Sequence, residues 1–169
     1  TFFDMEHADA SSARDKSVFS LFERSRLHAY DTISPAESWS KINTAPFEPV
    51  SRETITHDLL TGDGAPGGRL DLISGQFEIS KYAFAPSQES LQMVGANFRR
   101  MIDYYRSEYD LIVFETYPNA TFLTRRAMEA ADRVLTPMHP DIYSLRGVKL
   151  LNQVMQEQIS DEKRPEHSI

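Results

Sequence analysis

The sequence predicts an α/β protein of three layers, in which a mostly parallel sheet lies between helices on both of its faces. Apolar strand-like runs alternate with amphipathic helix-like segments along the chain. That order requires crossover connections between parallel strands. The run Tyr109–Phe114 also ends in consecutive apolar residues from Leu111 onwards, as strands buried on both faces do.

Helical spacing of apolar residues identifies two strong helices, which are predicted over Ser90–Ser107 and Ser144–Ile159, and a further helix is predicted over Thr121–Ala131. Strands are predicted at Thr1–Phe3, within Arg69–Gly75, and over Tyr109–Phe114 and Arg133–Thr136. The weaker elements are a short amphipathic helix over Val18–Leu27, a little helix around 36–41 and an element of uncertain type over Thr54–Leu60.

The glycine-rich stretch Thr61–Gly68 is predicted to be a surface loop. A phosphate-binding loop follows a strand and begins a helix, whereas this stretch precedes a strand. It is therefore not a candidate for holding phosphate.

The bulk composition bounds the class of protein. A chain of 169 residues predicts one domain over residues 1–169. The absence of cysteine excludes disulfides and thiolate zinc sites, and the net charge of −7 disfavours a broad phosphate-binding face. No apolar run approaches the roughly 20 residues that span a bilayer. The apolar start at Thr1 and a new element expected after Pro165 predict a portion of a larger protein, incomplete at both ends.

Carboxylates follow two of the predicted strands. Asp4 and Glu6 come after Thr1–Phe3, and Glu115 comes after Tyr109–Phe114. Ligands of parallel sheets bind beyond the carboxyl ends of the strands, where such carboxylates could hold Mg²⁺ beside a phosphate group. An equally good interpretation is structural, with Asp4 capping a helix and Glu115 accepting backbone N–H groups. The residues alone leave both open.

Two other chemistries have little support. His7 and His139 are too isolated to form a zinc site in a chain without cysteine. No Gly-x-Ser-x-Gly stretch occurs, so a serine hydrolase has no nucleophile position.

The segment from Tyr109 to Leu151 resembles the second half of ParA-type ATPases, the deviant Walker group that includes MinD. The resemblance rests on a strand ending in Glu115, the pair Pro118-Asn119, the run "AADRVLTP" and the "SLRG" that follows Pro140. "FFDMEHADASS" is similar to that family's acidic segment, and "LDLISG" to its middle strand. The resemblance implies a P-loop NTPase-like fold.

The resemblance also implies a site for ATP and Mg²⁺. Asp4 would support the metal's water shell, Glu6 would orient the attacking water as the catalytic carboxylate, and Glu115 would lie on the magnesium side. Thr116 to Asn119 would form the switch segment, so the nucleotide-binding residues would be Glu115, Thr116, Pro118, Asn119 and Pro140.

The chain departs from the family pattern in two ways. Glu6 and Glu115 replace aspartates, and the extra methylene extends each carboxylate by about 1.5 Å, which affects hydrolysis more than binding. No glycine-lysine-threonine stretch occurs in the sequence, so the family's phosphate loop would precede Asp4. The chain as given is therefore not expected to hydrolyse ATP well by itself.

By this resemblance, the parent protein would be a cytoplasmic, nucleoid-associated homodimer. It would act in partition of a plasmid, a chromosome or an integrative element, bind DNA nonspecifically and respond to a ParB-like partner, with no membrane contact. Arg125, Arg126 and Arg146 are predicted to contribute to the dimer or DNA surface. The alternative is a non-hydrolysing interaction module, either a degenerate ParA-like domain or a receiver-like domain with Glu115 at the phosphoacceptor position.

Overall fold

The computed structural model describes residues 16–23, 42–60, 68–75, 77–84, 87–116 and 121–168. The predictions for Thr1–Phe3, for 36–41 and for most of Thr61–Gly68 lie outside these residues. The chain divides into two compact units, Thr1–Asp110 and Leu111–Ile169. The single domain over residues 1–169 stays a prediction.

The described part of the first unit combines one helix of several turns with a small pair of strands. Its elements are the 3-10 helix Val18–Leu21, helix α1 (Arg52–Ile55), strand β1 (His57–Leu60), strand β2 (Leu70–Leu72), the 3-10 helix Phe77–Phe84 and helix α2 (Gln88–Tyr105). The strand predicted within Arg69–Gly75 forms as β2, but it pairs antiparallel with β1. The reason is the short connection between the two strands, because a parallel pair requires a crossover of a dozen or more residues.

Helix α2 confirms the prediction for Ser90–Ser107 and carries the core of this unit. Its first turn is capped by the Ser87 hydroxyl, which accepts from the Ser90 backbone N–H at 3.1 Å. The ring of Phe98 stacks on that of Phe22, with centroids 4.7 Å apart. The apolar side chains that α2 buries recur at helical spacing and are Val94, Phe98, Met101, Ile102 and Tyr105.

A buried ion pair lies beside this core. Lys81 Nζ is 2.7 Å from Glu23 Oε1, and the two side chains are 4% and 0% exposed. The Glu23 carboxylate also accepts from the Tyr82 hydroxyl at 2.8 Å and from the Asn43 backbone N–H at 2.7 Å. Removing a charged group from water costs on the order of several kcal/mol. These hydrogen bonds and the ion pair with Lys81 offset that cost for the Glu23 carboxylate.

Asn97 adds a second buried link. Its Nδ2 donates to the carbonyl of Phe22 at 3.2 Å and to that of Ala45 at 3.1 Å. One side chain of α2 thus joins the chain before residue 24 to the chain after residue 41, at the same place where Glu23 binds Asn43.

The second unit begins with residues 111–116, which form neither helix nor strand. Leu111 and Val113 are both 76% exposed, whereas the sequence predicted burial on both faces. A segment becomes a strand only when its backbone groups pair with a neighbour, and no described residue pairs with this one. The strand Tyr109–Phe114 is therefore absent from the described structure.

The rest of this unit contains a parallel pair of strands joined through a helix. Helix α3 (Phe122–Ala130) precedes strand β3 (Arg133–Leu135), helix α4 (Ile142–Gln158), a 3-10 turn at Asp161–Lys163 and strand β4 (Glu166–Ser168). Strand β3 pairs parallel with β4, with Val134 opposite His167. These elements confirm the two predicted helices, the strand after α3 and a new element after Pro165.

The described residues thus form a mixed α/β structure with one antiparallel and one parallel pair of strands. The β3–α4–β4 succession is the local arrangement that parallel sheets repeat. No helix in the described ranges is long and apolar enough to cross a membrane.

The buried ion pair gives a test of the core. Lys81→Met keeps an unbranched apolar side chain in place of the lysine stem but leaves the Glu23 carboxylate buried without its counter-charge. We expect the free energy of unfolding to fall by about 3–5 kcal/mol, measured by urea denaturation followed by circular dichroism.

The matched control is Arg99→Met, which removes a cation from the exposed pair with Asp103 at 3.7 Å. That change should cost less than about 1 kcal/mol. Equal losses of unfolding free energy in the two variants would show that the buried Glu23–Lys81 pair contributes no more to stability than the exposed pair does.

Candidate functional site

The predicted site residues of the second unit begin with Glu115 and Thr116. Both side chains are exposed, at the end of the segment 111–116. No hydrogen bond or ion pair joins either side chain to another residue in the described ranges. Glu115 is therefore an exposed carboxylate that is accessible to a ligand. The alternative, hydrogen bonds from the backbone N–H groups that follow Pro118, falls on residues outside the described ranges and stays a prediction.

The loop after β3 holds the next predicted residue. Pro140 is exposed, as is His139 beside it. The following residue, Asp141, caps α4 and accepts from the backbone N–H groups of Tyr143 at 2.8 Å and Ser144 at 2.9 Å. Hydrogen bonds from the backbone and hydroxyl of Ser144 hold the pKa of Asp141 below its usual range. The Asp141 carboxylate is therefore engaged by the first turn of α4, so the loop ends at this residue.

The remaining predicted site residues, Asp4, Glu6, Pro118 and Asn119, lie outside the described residues. Their convergence with Glu115 and their roles stay predictions. Among the described residues, Glu115, Thr116 and Pro140 are not linked to one another by any hydrogen bond.

The donor set near Glu115 limits what it could bind. No group of three or more histidine, aspartate or glutamate side chains in the described ranges could enclose a metal ion. A single open carboxylate with a neighbouring hydroxyl suits Mg²⁺, which takes one or two protein carboxylates and fills its other positions with water and phosphate oxygens. Glu115 and Thr116 fit a magnesium ion that arrives with a nucleotide, and they do not fit an all-protein cage.

A polar network in the first unit was not found from the sequence. Arg69 donates through Nε to both Asp71 oxygens, at 2.7 and 2.8 Å, and through Nη2 to Asp58 at 2.6 Å. The Tyr109 hydroxyl donates to Asp71 as well. The network joins the β1–β2 pair to the residues just after α2. The cross-strand pairing of Asp58 with Asp71 could have been sought only after β1 was recognised as a strand.

Burial and hydrogen bonding shift the pKa values in this network. Burial, together with the hydrogen bond to Asp71, raises the pKa of Tyr109 to about 12. Burial opposes ionisation of Asp71, but hydrogen bonds from Arg69 and Tyr109 outweigh it and lower the pKa of that carboxyl. Burial also raises the pKa of Tyr105, whose hydroxyl donates to the Val50 carbonyl at 2.7 Å. At neutral pH, Asp71 is therefore ionised, whereas Tyr105 and Tyr109 keep their phenolic protons.

The α/β elements and the open carboxylate agree with the comparison to known families. A family model described as an AAA domain matches residues 58–169, which is more than half of the chain. The chain belongs to this family, whose domains are P-loop NTPase-like and include ParA- and MinD-type proteins. No curated protein and no solved structure matches the chain.

The matched range contains Glu115, Thr116 and Pro140 and begins within β1. Asp4 and Glu6 precede it. Family membership indicates nucleotide and Mg²⁺ use in general. Among the described residues of the matched range, Glu115 has a carboxylate of the kind that binds Mg²⁺.

The Tyr109–Asp71 hydrogen bond predicts a pH dependence. The pKa of Tyr109 is higher in the folded protein than in the unfolded chain, so its contribution is complete below about pH 10 and is lost as the pH rises towards about 12. Tyr109→Phe should lower the free energy of unfolding by about 1 kcal/mol at neutral pH. The difference from wild type should shrink above about pH 10, measured by denaturation at each pH.

Tyr143→Phe changes a tyrosine that is 78% exposed and serves as the control, with no expected effect on this pH curve. A Tyr109→Phe deficit that stays constant through pH 12 would contradict the role given to the hydroxyl proton.

Proposed function

We propose that the chain is a portion of a ParA-like ATPase that binds Mg-ATP. The observation that carries the proposal is the open Glu115 carboxylate within the range matched by the AAA domain family. In this proposal the three-layer, mostly parallel sheet is completed by strands outside the described residues, and 111–116 becomes one of its members. The exposed apolar side chains of Leu111 and Val113 support that step, because pairing and stacking would bury them.

The chain's own residues have defined tasks in this proposal. Glu115 lies on the metal side, and Thr116 follows it in the switch segment that Pro118 and Asn119 continue. When bound, Mg²⁺ would neutralise charge on the phosphates. Pro140 shapes the loop that the Asp141 cap fixes at the start of α4. Asp4 and Glu6 are proposed as the water-shell and catalytic carboxylates.

Nucleotide binding is tested by Glu115→Gln in the full-length protein as its host makes it. We expect Mg²⁺-dependent binding of a fluorescent ATP analogue to weaken about 10- to 100-fold, since a charge-assisted contact is worth about 1.5–3 kcal/mol. Glu48→Gln, at an exposed loop position, is the charge-matched control and should bind as wild type does.

Each outcome separates the candidate functions. Unchanged Mg²⁺-dependent affinity in Glu115→Gln would remove Glu115 from the site, and no binding by the wild type would end the ATPase proposal. Binding without turnover, in the presence of DNA and the partner, would favour the second candidate, a degenerate ParA-like interaction module. The feature that favours this candidate is glutamate at both acidic positions, Glu6 and Glu115. A receiver-like module is less well supported, because phosphotransfer needs an aspartate where Glu115 stands.

The cellular role proposed for the parent protein is DNA partition, as a homodimer that binds DNA nonspecifically and answers to a ParB-like partner. Helix α3 supplies the basic residues proposed for DNA. Arg125 and Arg126 both pair with Glu129, at 2.9 Å in each case. Two cations thus share one carboxylate, which leaves a net positive charge on this helix.

The DNA proposal predicts that Arg125→Gln with Arg126→Gln weakens retention on double-stranded DNA. The slope of log affinity against log salt should fall by about 2, as two phosphate contacts are lost. Glu129→Gln should have the opposite effect on retention, because it frees both guanidinium groups.

Arg133→Gln serves as the control, since this arginine lies on β3 in an exposed pair with Glu166. Retention equal to wild type in the double α3 variant would remove α3 from the DNA surface.

A further inference from the structure

Helix α4 has an outer face that its own unit does not use. Val148 and Met155 are buried on the inner side of the helix. On the opposite side, Tyr143 is 78% and Leu150 62% exposed, and Ile142 is exposed beside them. These three residues, with Arg146, Gly147 and Lys149, fall on adjacent turns of the helix and are called the outer face.

The charge of the outer face is unusual for this chain. The net charge of the protein is −7, yet α4 has no acidic residue before Glu157. In the described part of the second unit, every other arginine has a carboxylate within 4.0 Å; these are Arg125, Arg126, Arg133 and Arg164. Arg146 and Lys149 are exposed and form no ion pair with the described residues. Two positive charges therefore lie uncompensated among large apolar side chains.

Gly147 is a second, independent observation. Glycine within a helix is less favourable than alanine, so a packing reason is expected for it. A Cβ atom built at Gly147 meets nothing within 4 Å, so no contact with the described residues requires glycine there. Its helical neighbours at i−4 and i+3 are Tyr143 and Leu150. The glycine leaves a notch between two exposed apolar side chains, into which a partner's side chain could fit.

We propose that the outer face of α4 binds an acidic amphipathic helix of another protein. Aspartate or glutamate side chains of that helix would pair with Arg146 and Lys149, and an apolar side chain would enter the notch at Gly147. The face from Ile142 to Leu150 is about 13 Å long at 1.5 Å per residue, which suits a partner helix of about three turns. The proposal concerns α4 alone and is independent of nucleotide binding.

The charges and apolar side chains select this occupant over two others. A second copy using the same face would place Arg146 and Lys149 of both copies against each other, which is repulsive. DNA would satisfy the two cations but would leave Tyr143 and Leu150 uncovered, since its phosphates offer no apolar surface at that position. An acidic amphipathic helix satisfies both features at once.

The test places a photoreactive benzophenone amino acid at position 143 of the intact protein in its host. The control places it at Met93, an exposed position on α2. After illumination, mass spectrometry identifies the cross-linked segment. We expect an adduct from position 143 alone, joined to an amphipathic segment of another protein that carries at least two acidic residues. A synthetic peptide of that segment should then bind the protein in a salt-sensitive manner.

Two variants separate docking from folding. Arg146→Glu with Lys149→Glu should reduce adduct formation at least tenfold. Gly147→Gln should reduce it by a similar factor while raising the melting temperature, because glutamine favours the helix but fills the notch. A structural role for Gly147 would give the opposite change in melting temperature.

The proposal is overturned by an adduct to a second copy of this chain, to DNA or to a basic segment. It is also overturned if no adduct forms at position 143, or if the charge-reversed variant cross-links as wild type does.

Discussion

The carboxylate of Glu23 is the group on which the described part of the first unit depends. It is fully buried, pairs with the ammonium group of Lys81, and accepts hydrogen bonds from the Tyr82 hydroxyl and the Asn43 backbone N–H. Burying a charge is unfavourable unless its partners replace the lost water, and here they come from separate segments of the chain. Because each partner must be in place for the carboxylate to be tolerated, Glu23 holds the 3-10 helix Phe77–Phe84, the chain at Asn43 and its own segment in one arrangement.

The same logic explains why helices were predicted better than polar contacts. Helices α2, α3 and α4 follow from apolar residues that recur at helical spacing within a window of about 11–18 residues, so the sequence is sufficient to find them. Glu23 and Tyr82 are 59 residues apart and Tyr109 and Asp71 are 38 apart, and no local pattern joins them. Such networks depend on tertiary placement, which single-sequence reasoning does not supply.

The segment 111–116 illustrates a different limit. Its apolar run predicts a strand, but both strand formation and the predicted burial depend on pairing with neighbouring strands. In the described structure those neighbours are missing, and Leu111 and Val113 are exposed. Burial of such a run depends on strand pairing, which a single run of residues does not specify. Glu115 was predicted as a carboxylate at the end of a strand that the described residues do not form, so its role stays a prediction. The cap formed by Asp141 became clear only from its hydrogen bonds to Tyr143 and Ser144.

Pairing of charges distinguishes the two basic helices of the second unit. On α3, Glu129 already neutralises part of the charge of Arg125 and Arg126, so a polyanion would compete with an internal carboxylate. On α4, Arg146 and Lys149 have no such competitor among the described residues, and they stand beside exposed apolar side chains. A phosphate backbone offers charge alone, whereas a protein helix offers charge and apolar surface together. The two helices are therefore suited to different partners, although both are basic.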